Sequence, residues 1–100
     1  MNILKIVGGK VEIRTTTGNH VRTIGNGDTI FADFNAAQDL ILITTLQGKV
    51  EIRSNTGNHV RTIGNGDATQ ARWMGGDVAI STNKGKTELR SATGNMIRTL

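Results

Sequence analysis

A twenty-residue block occurs twice in this chain and constrains its fold more than any other feature. The first copy runs from Gly9 to Asp28 and the second from Gly48 to Asp67, and only two of the twenty positions differ. A looser third copy, from Gly85 to Leu100, ends the sequence. The copies begin 39 and then 37 residues apart, and a period of about 40 residues is typical of repeat architectures.

Each block predicts a β-hairpin. Residues 10–14 alternate apolar and charged side chains, which is typical of a strand with two different faces. A turn containing Gly18 follows, and then a second strand over residues 20–24. Outside the blocks, strands are predicted over residues 2–7, 29–35, 39–46, 68–74 and 77–82. The whole chain is therefore predicted to contain eleven strands and no helix.

The hairpins carry charged residues at repeated positions. A turn centred on Thr17 sets Arg14 opposite His20 and sets an acidic residue opposite a basic one farther along. Opposite charges directly across two strands stabilise a hairpin by about 0.2–1 kcal/mol per pair. The expected structural ion pairs are Glu12 with Arg22, Glu51 with Arg61 and Glu88 with Arg98. The alternative for these residues is a charged channel lining.

Composition supports an all-β chain and excludes several kinds of site. The large apolar residues are mostly Ile, Val and Leu, with three aromatics, no Pro and no Cys, so disulfides and thiolate metal sites are absent. The net charge is +4, but acidic and basic residues alternate, so no specific nucleic-acid partner is expected. The apolar segment at residues 1–7 is too short for a signal peptide or membrane span. We expect a soluble protein with no membrane partner.

Four short antiparallel strands repeated at about 40 residues are typical of the blades of a β-propeller. Eleven strands, at four per blade, correspond to about 2.75 blades. Residues 1–25 are assigned to an incomplete blade that lacks its innermost strand, residues 26–64 to the second blade and residues 65–100 to the third. The predicted fold class is thus an all-β propeller fragment.

A ring of blades cannot be closed by one copy of this chain, because propellers typically contain four to eight blades. We therefore expect homo-oligomerisation through head-to-tail contacts. A homodimer with six blades is the first expectation and a trimer the next. The sequence ends after an outermost strand and offers no spare innermost strand. The first blade is then expected to stay three-stranded, or else the chain belongs to a longer array.

Three features together resemble the WD40-like propeller superfamily. They are the blade length, an innermost strand after a Gly- and Asp-rich loop, and the passage from Asp39 through Ile41 to Gly48. The Gly-His and Trp-Asp signatures of that family are missing, so none of its peptide-binding residues is carried over. The endings GKTELR and IRTL also resemble short propeller-fragment proteins found among phage genes. That resemblance implies a cytoplasmic or virion-associated protein.

The best candidates for ligand binding lie on the innermost strands. Trp73 with Arg72 could stack on a sugar and form hydrogen bonds with it, and Phe34 with Asp33 occupies the equivalent positions of the preceding blade. The alternative is that Trp73 and Phe34 are bulky core residues between blades.

Little in the sequence indicates a metal site, a cofactor site or a catalytic site. The equivalent His20 and His59 are expected to be surface residues rather than metal ligands. The GNGD loops at residues 25–28 and 64–67 are expected to be turns between blades rather than calcium sites. No catalytic arrangement and no cofactor are predicted. The favoured function is a self-assembling propeller subunit with a structural or interaction role. The alternative is a lectin-like protein that binds a small ligand or glycan in inter-blade or central pockets.

Overall fold

A computed structural model describes residues 1–100 as eleven strands connected by turns. The strands are β1 (Asn2–Val7), β2 (Lys10–Thr15), β3 (His20–Ile24), β4 (Thr29–Phe34), β5 (Leu40–Thr45), β6 (Val50–Ser54), β7 (His59–Ile63), β8 (Ala68–Met74), β9 (Asp77–Thr82), β10 (Thr87–Ser91) and β11 (Met96–Thr99). No helix has the length and apolar character that crossing a membrane would require.

The strands form three antiparallel sheets, with the orders β1-β2-β3, β4-β5-β6-β7 and β8-β9-β10-β11. We call these sheets blade 1, blade 2 and blade 3. The predicted eleven strands, in sets of three, four and four, are confirmed. Because neighbouring strands in each sheet are also neighbours in sequence, every connection within a blade is a hairpin.

Blade 2 lies between the other two, and this explains the nearly continuous apolar sequence of β5. Residues Ile41 to Thr45 are all buried, because successive side chains of a strand point to opposite faces and both faces are covered here. The equivalent strand of blade 1 is β1, which has a neighbouring blade on one face only. Ile3 of β1 is accordingly 46% exposed.

The blades pack through two separate apolar clusters. The first joins Val11, Ile13 and Ile24 of blade 1 to Ile41 and Ile43 of blade 2. The second, between blades 2 and 3, consists of Leu42, Val50, Ile52, Ile63, Ala68, Ala71, Val78 and Ile80. Full burial of one Ile or Val side chain stabilises a fold by about 1.5–3 kcal/mol. Blade-to-blade packing, rather than packing inside any one sheet, therefore supplies the core.

Each hairpin contains a β-bulge that changes the predicted register. Arg14 pairs with His20 as expected, but Ile13 pairs with Arg22 and leaves Val21 as an extra residue. The other two hairpins have the same irregularity. An extra residue reverses the face of every side chain beyond it relative to the partner strand. Arg22 consequently lies on the face of Ile13 rather than on the face of Glu12.

The predicted cross-strand ion pairs are therefore wrong. Glu12 does not meet Arg22, Glu51 does not meet Arg61, and Glu88 does not meet Arg98. Each glutamate instead pairs with the arginine two positions along its own strand, because residues i and i+2 share a face. The observed pairs are Glu12 with Arg14 at 2.7 Å, Glu51 with Arg53 at 3.1 Å and Glu88 with Arg90 at 3.0 Å.

Candidate functional site

A four-residue contact joins blade 1 to blade 2. Arg22, which the bulge turns toward blade 2, donates a hydrogen bond from Nη1 to the carbonyl oxygen of Thr56 at 3.2 Å. Ile24 packs against Gly57, where an added Cβ would lie 2.9 Å from Ile24 Cγ2. We call Arg22, Ile24, Thr56 and Gly57 the first joint. The outermost strand of one blade thus contacts the last hairpin turn of the next blade.

The same contact recurs between blades 2 and 3. Arg61 Nη1 donates to the carbonyl oxygen of Thr93 at 3.1 Å, and an added Cβ at Gly94 would lie 3.0 Å from Ile63 Cγ2. These residues form the second joint. Both turn glycines have a positive φ, +96° at Gly57 and +95° at Gly94. Glycine is thus favoured there by backbone conformation and by the closeness of the preceding blade.

The chain contains the two halves of a third joint, but they lie at opposite ends of the fold. Arg98 and Leu100 of blade 3 occupy the positions that Arg61 and Ile63 occupy in blade 2, and no other blade of residues 1–100 lies against them. Leu100 is 70% exposed, whereas Ile24 is 6% exposed and Ile63 is 4% exposed.

The receiving half of this third joint is the turn of the first hairpin. Gly18 has a φ of +94°, and an added Cβ would have no atom within 4 Å. Each end of the molecule therefore presents half of a contact that is complete in its interior.

The first ion pair also reflects an uncovered end. The side chains of Arg14 and Glu12 are 29% and 18% exposed, whereas those of Arg90 and Glu88 are 11% and 9% exposed. The difference arises because a preceding blade covers the second and third pairs, and none covers the first. Ile3 and Lys5 pair with Arg14 and Glu12 in the sheet and lie on the same uncovered face.

The predicted ligand-binding residues lie mostly in contacts between blades. The backbone N–H of Trp73 donates to Oδ2 of Asp33 at 3.0 Å, and its indole Nε1 donates to the Asp33 carbonyl oxygen at 3.2 Å. Trp73 also packs against the second apolar cluster, and Phe34 packs against the first. Three of the four residues thus connect innermost strands to neighbouring blades.

Arg72 does not join the others. It is exposed, and as the neighbour of Trp73 on β8 it points to the opposite face of the sheet. One ligand therefore cannot lie against both side chains on a single face of blade 3. Ligand or glycan binding at Arg72, Trp73, Asp33 and Phe34 stays a prediction.

Two shallow grooves lie beside the blade contacts. One, of about 230 Å³, is lined by residues that include Ile30, Leu46 and Asp67. The other, of about 270 Å³, lies at the first joint and is lined by residues that include Phe34 and Arg22. Small-molecule sites are typically about 300–1,000 Å³. Both grooves are thus below the usual size of a small-molecule site.

The histidines and loops form no cluster of ligands. The rings of His20 and His59 are exposed, with Nε2 at 2.7 Å and 2.9 Å from the hydroxyl oxygens of Thr23 and Thr62. No three His, Asp or Glu side chains are grouped closely enough to hold a metal ion. The GNGD loops connect β3 to β4 and β7 to β8, so they are turns between blades as the sequence predicts.

Comparison with known proteins bears on the fold. No protein-family model and no curated protein matches the chain. The structure of BamB from Moraxella catarrhalis is similar to it, with a TM-score of 0.74, 16% identity and 97% of this chain covered. HIRA(644-1017) is also similar, with a TM-score of 0.60, 11% identity and 99% of this chain covered.

Both similar structures are β-propellers. The fold of this chain is propeller-like. The chain spans about a third of the length of each, since it covers 33% of both. A propeller-like fold therefore agrees with the resemblance drawn from blade length and loop positions, whereas the similarity to phage proteins stays a prediction.

The joints were missed by sequence reasoning, although a signal for them exists. Every copy of the block contains a Thr-Gly pair in its hairpin turn and an Arg-Thr pair followed by Ile or Leu in its last strand. These are the residues that meet between blades. Their partners belong to different copies, so a search for pairs within one hairpin could not find them.

Proposed function

We propose that this chain is a self-assembling β-propeller subunit with a structural or interaction role and no catalysis. Its copies associate head to tail and close a ring, with a six-bladed homodimer as the first expectation and a trimer as the next. The observation that carries the proposal is the presence of one unfilled half joint at each end of the molecule.

The packing of the interior supports this proposal. Blade 2 has both faces covered, whereas blades 1 and 3 each have one uncovered face, so each chain has two faces suited to a neighbouring blade. Closed propellers have no such end faces, because every blade packs between two others. Contact between unlike patches on identical chains generates a ring when the rotation closes. Two different end faces on one chain meet that requirement.

An interaction role is supported by the fold of the similar structures, which are propellers. A ring of blades presents broad surfaces on its two sides and grooves between its blades. The two grooves described above are small for a metabolite, and this favours a protein or a further copy of the chain over a small molecule. We therefore place interaction with macromolecules ahead of ligand binding.

The test is the native mass in solution, measured by light scattering coupled to size exclusion over a range of concentrations. The expected result is a species of twice the chain mass of 10.7 kDa, or of three times that mass. The fraction of chains in this species should increase with concentration. A mass of one folded chain at every concentration would exclude self-assembly and with it the closed ring.

A further inference from the structure

We propose that copies of this chain join through the same four-residue contact that joins its own blades. Arg98 and Leu100 of one copy lie against Thr17 and Gly18 of the next. This inference rests on the proposed self-assembly and goes beyond it by naming the residues of the interface. The partner is a second copy of this chain.

The donating half is oriented correctly. Arg98 pairs with Leu89 across a bulged hairpin, as Arg61 pairs with Ile52. The N–H of Leu100 donates to the carbonyl oxygen of Thr87 at 2.8 Å, which continues the register of the sheet. The side chains of Arg98 and Leu100 therefore point outward from the uncovered face of blade 3. The side chains of Arg61 and Ile63 point from blade 2 toward blade 3 in the same way.

The receiving half is already built. The Gly18 carbonyl oxygen accepts a hydrogen bond from Arg14 Nη1 at 2.7 Å, as those of Gly57 and Gly94 do from their own arginines at 3.0 Å and 2.9 Å. The φ angles of the three glycines differ by no more than two degrees. The first turn thus has the conformation of the two turns that receive a neighbouring blade.

The interface between copies is more polar than the interfaces between blades of one copy. Lys5 pairs with Glu12 and so occupies the position that the buried Ile43 and Ile80 occupy opposite their own glutamates. Thr87 likewise stands where Val50 stands in blade 2. Less apolar surface is therefore buried between copies than between blades of one copy. We expect an association that depends on concentration, with each chain folded before it assembles.

The Cβ–Cβ distances at the two internal joints give the distance expected between the residues to be cross-linked. The position of an added Cβ at Gly57 is 3.7 Å from Ile24 Cβ, and that at Gly94 is 3.6 Å from Ile63 Cβ. Disulfides typically require about 3.5–4.5 Å between Cβ atoms. The chain contains no cysteine, so every disulfide formed in the test comes from the introduced residues.

The test variant carries Gly18→Cys and Leu100→Cys together, and each substitution is also made alone. Under mild oxidation the double variant should form covalent dimers or trimers that resist denaturant and revert to single chains on reduction. Peptide mapping should find position 18 of one copy joined to position 100 of another. As a positive control, the double variant Ile24→Cys with Gly57→Cys should form its disulfide within one chain.

Two results would overturn the joint. One is a double variant that forms no disulfide between copies at concentrations well above those at which the unmodified chain assembles, while the positive control closes. The other is cross-linking of either single-cysteine variant as complete as that of the double variant, because this would show contact between like ends or random collision. Light scattering on the unmodified chain distinguishes a failure of this contact from a failure of the proposed self-assembly. Assembly without the cross-link rejects this joint alone, whereas a chain that never assembles rejects the proposed function as well.

A second pair of variants tests the joint without cysteine. Gly18→Ala should weaken assembly by about tenfold or more, because the added methyl group would overpack the close contact with the neighbouring copy. Gly27→Ala is the matched control, since Gly27 has a φ of +92° and an added Cβ there also has no atom within 4 Å. Equal weakening by the two variants would contradict the joint.

Discussion

Replacement of Gly57 by alanine should destabilise the protein by more than its backbone conformation alone explains. Gly57 has a φ of +96°, and a left-handed conformation costs an L-residue about 1–2 kcal/mol. The new methyl group would also lie 2.9 Å from Ile24 Cγ2. Ile24 is only 6% exposed, so its side chain has little room to move away.

A matched variant separates these two costs. Gly27 has a φ of +92°, and an added Cβ there meets no atom within 4 Å, so Gly27→Ala carries the conformational cost alone. Overpacking of a buried contact costs about 1–3 kcal/mol. We therefore expect Gly57→Ala to lower the free energy of unfolding by about 2–5 kcal/mol, against about 1–2 kcal/mol for Gly27→Ala.

Urea unfolding of both variants measures this difference, since the midpoint at constant slope reports the change in stability. The measurement is made at a concentration where light scattering shows single chains. In thermal unfolding, each 1 kcal/mol corresponds to about 4–8 °C in a domain of this size. Equal losses in the two variants would refute the close contact between blades 1 and 2 at the first joint.

Three further changes test other parts of the fold. Glu88→Ala should lower the free energy of unfolding by about 3–5 kcal/mol, because it removes the carboxylate partner of the mostly buried Arg90. Glu12→Ala should lower it by less than about 1 kcal/mol at the more exposed pair, and equal shifts of the two urea midpoints would contradict this difference. Asp33→Ala should cost about 1–3 kcal/mol through the lost acceptor for the Trp73 N–H, and an unchanged midpoint would count against that bond. Lys5→Ile should strengthen self-association in light scattering, and a weaker association would contradict the proposed end face.

Much of the fold could be predicted because its strands and turns are determined by residues that are close together in sequence. Alternation in residues 10–14 and the continuous apolar sequence of β5 each report how many faces of a strand are buried. The Gly- and Asn-containing turns between them separate eleven strands, and the period of about 40 residues groups the strands into blades. These features depend only on residues close together in sequence, so the set of three sheets followed from the chain alone.

The candidate site was harder to predict from the sequence than the fold, as Trp73 illustrates. Its aromatic side chain beside Arg72 suggested a ligand surface, but its two N–H groups donate to Asp33, 40 residues earlier. Phe34 likewise packs into the first apolar cluster. A large aromatic residue suits either a binding surface or a packed interface, and only the position of the neighbouring blade distinguishes the two.

The sequence by itself determined the number of strands, their grouping and the residue types at every repeated position. The tertiary structure decided which of those residues meet. Alternation shows that a strand has two faces, but it does not reveal a single extra residue such as Val21, and that bulge turns Arg22 away from Glu12 and toward Thr56. The joints connect residues 34 and 32 positions apart, and such contacts form only when whole blades stack through their apolar faces.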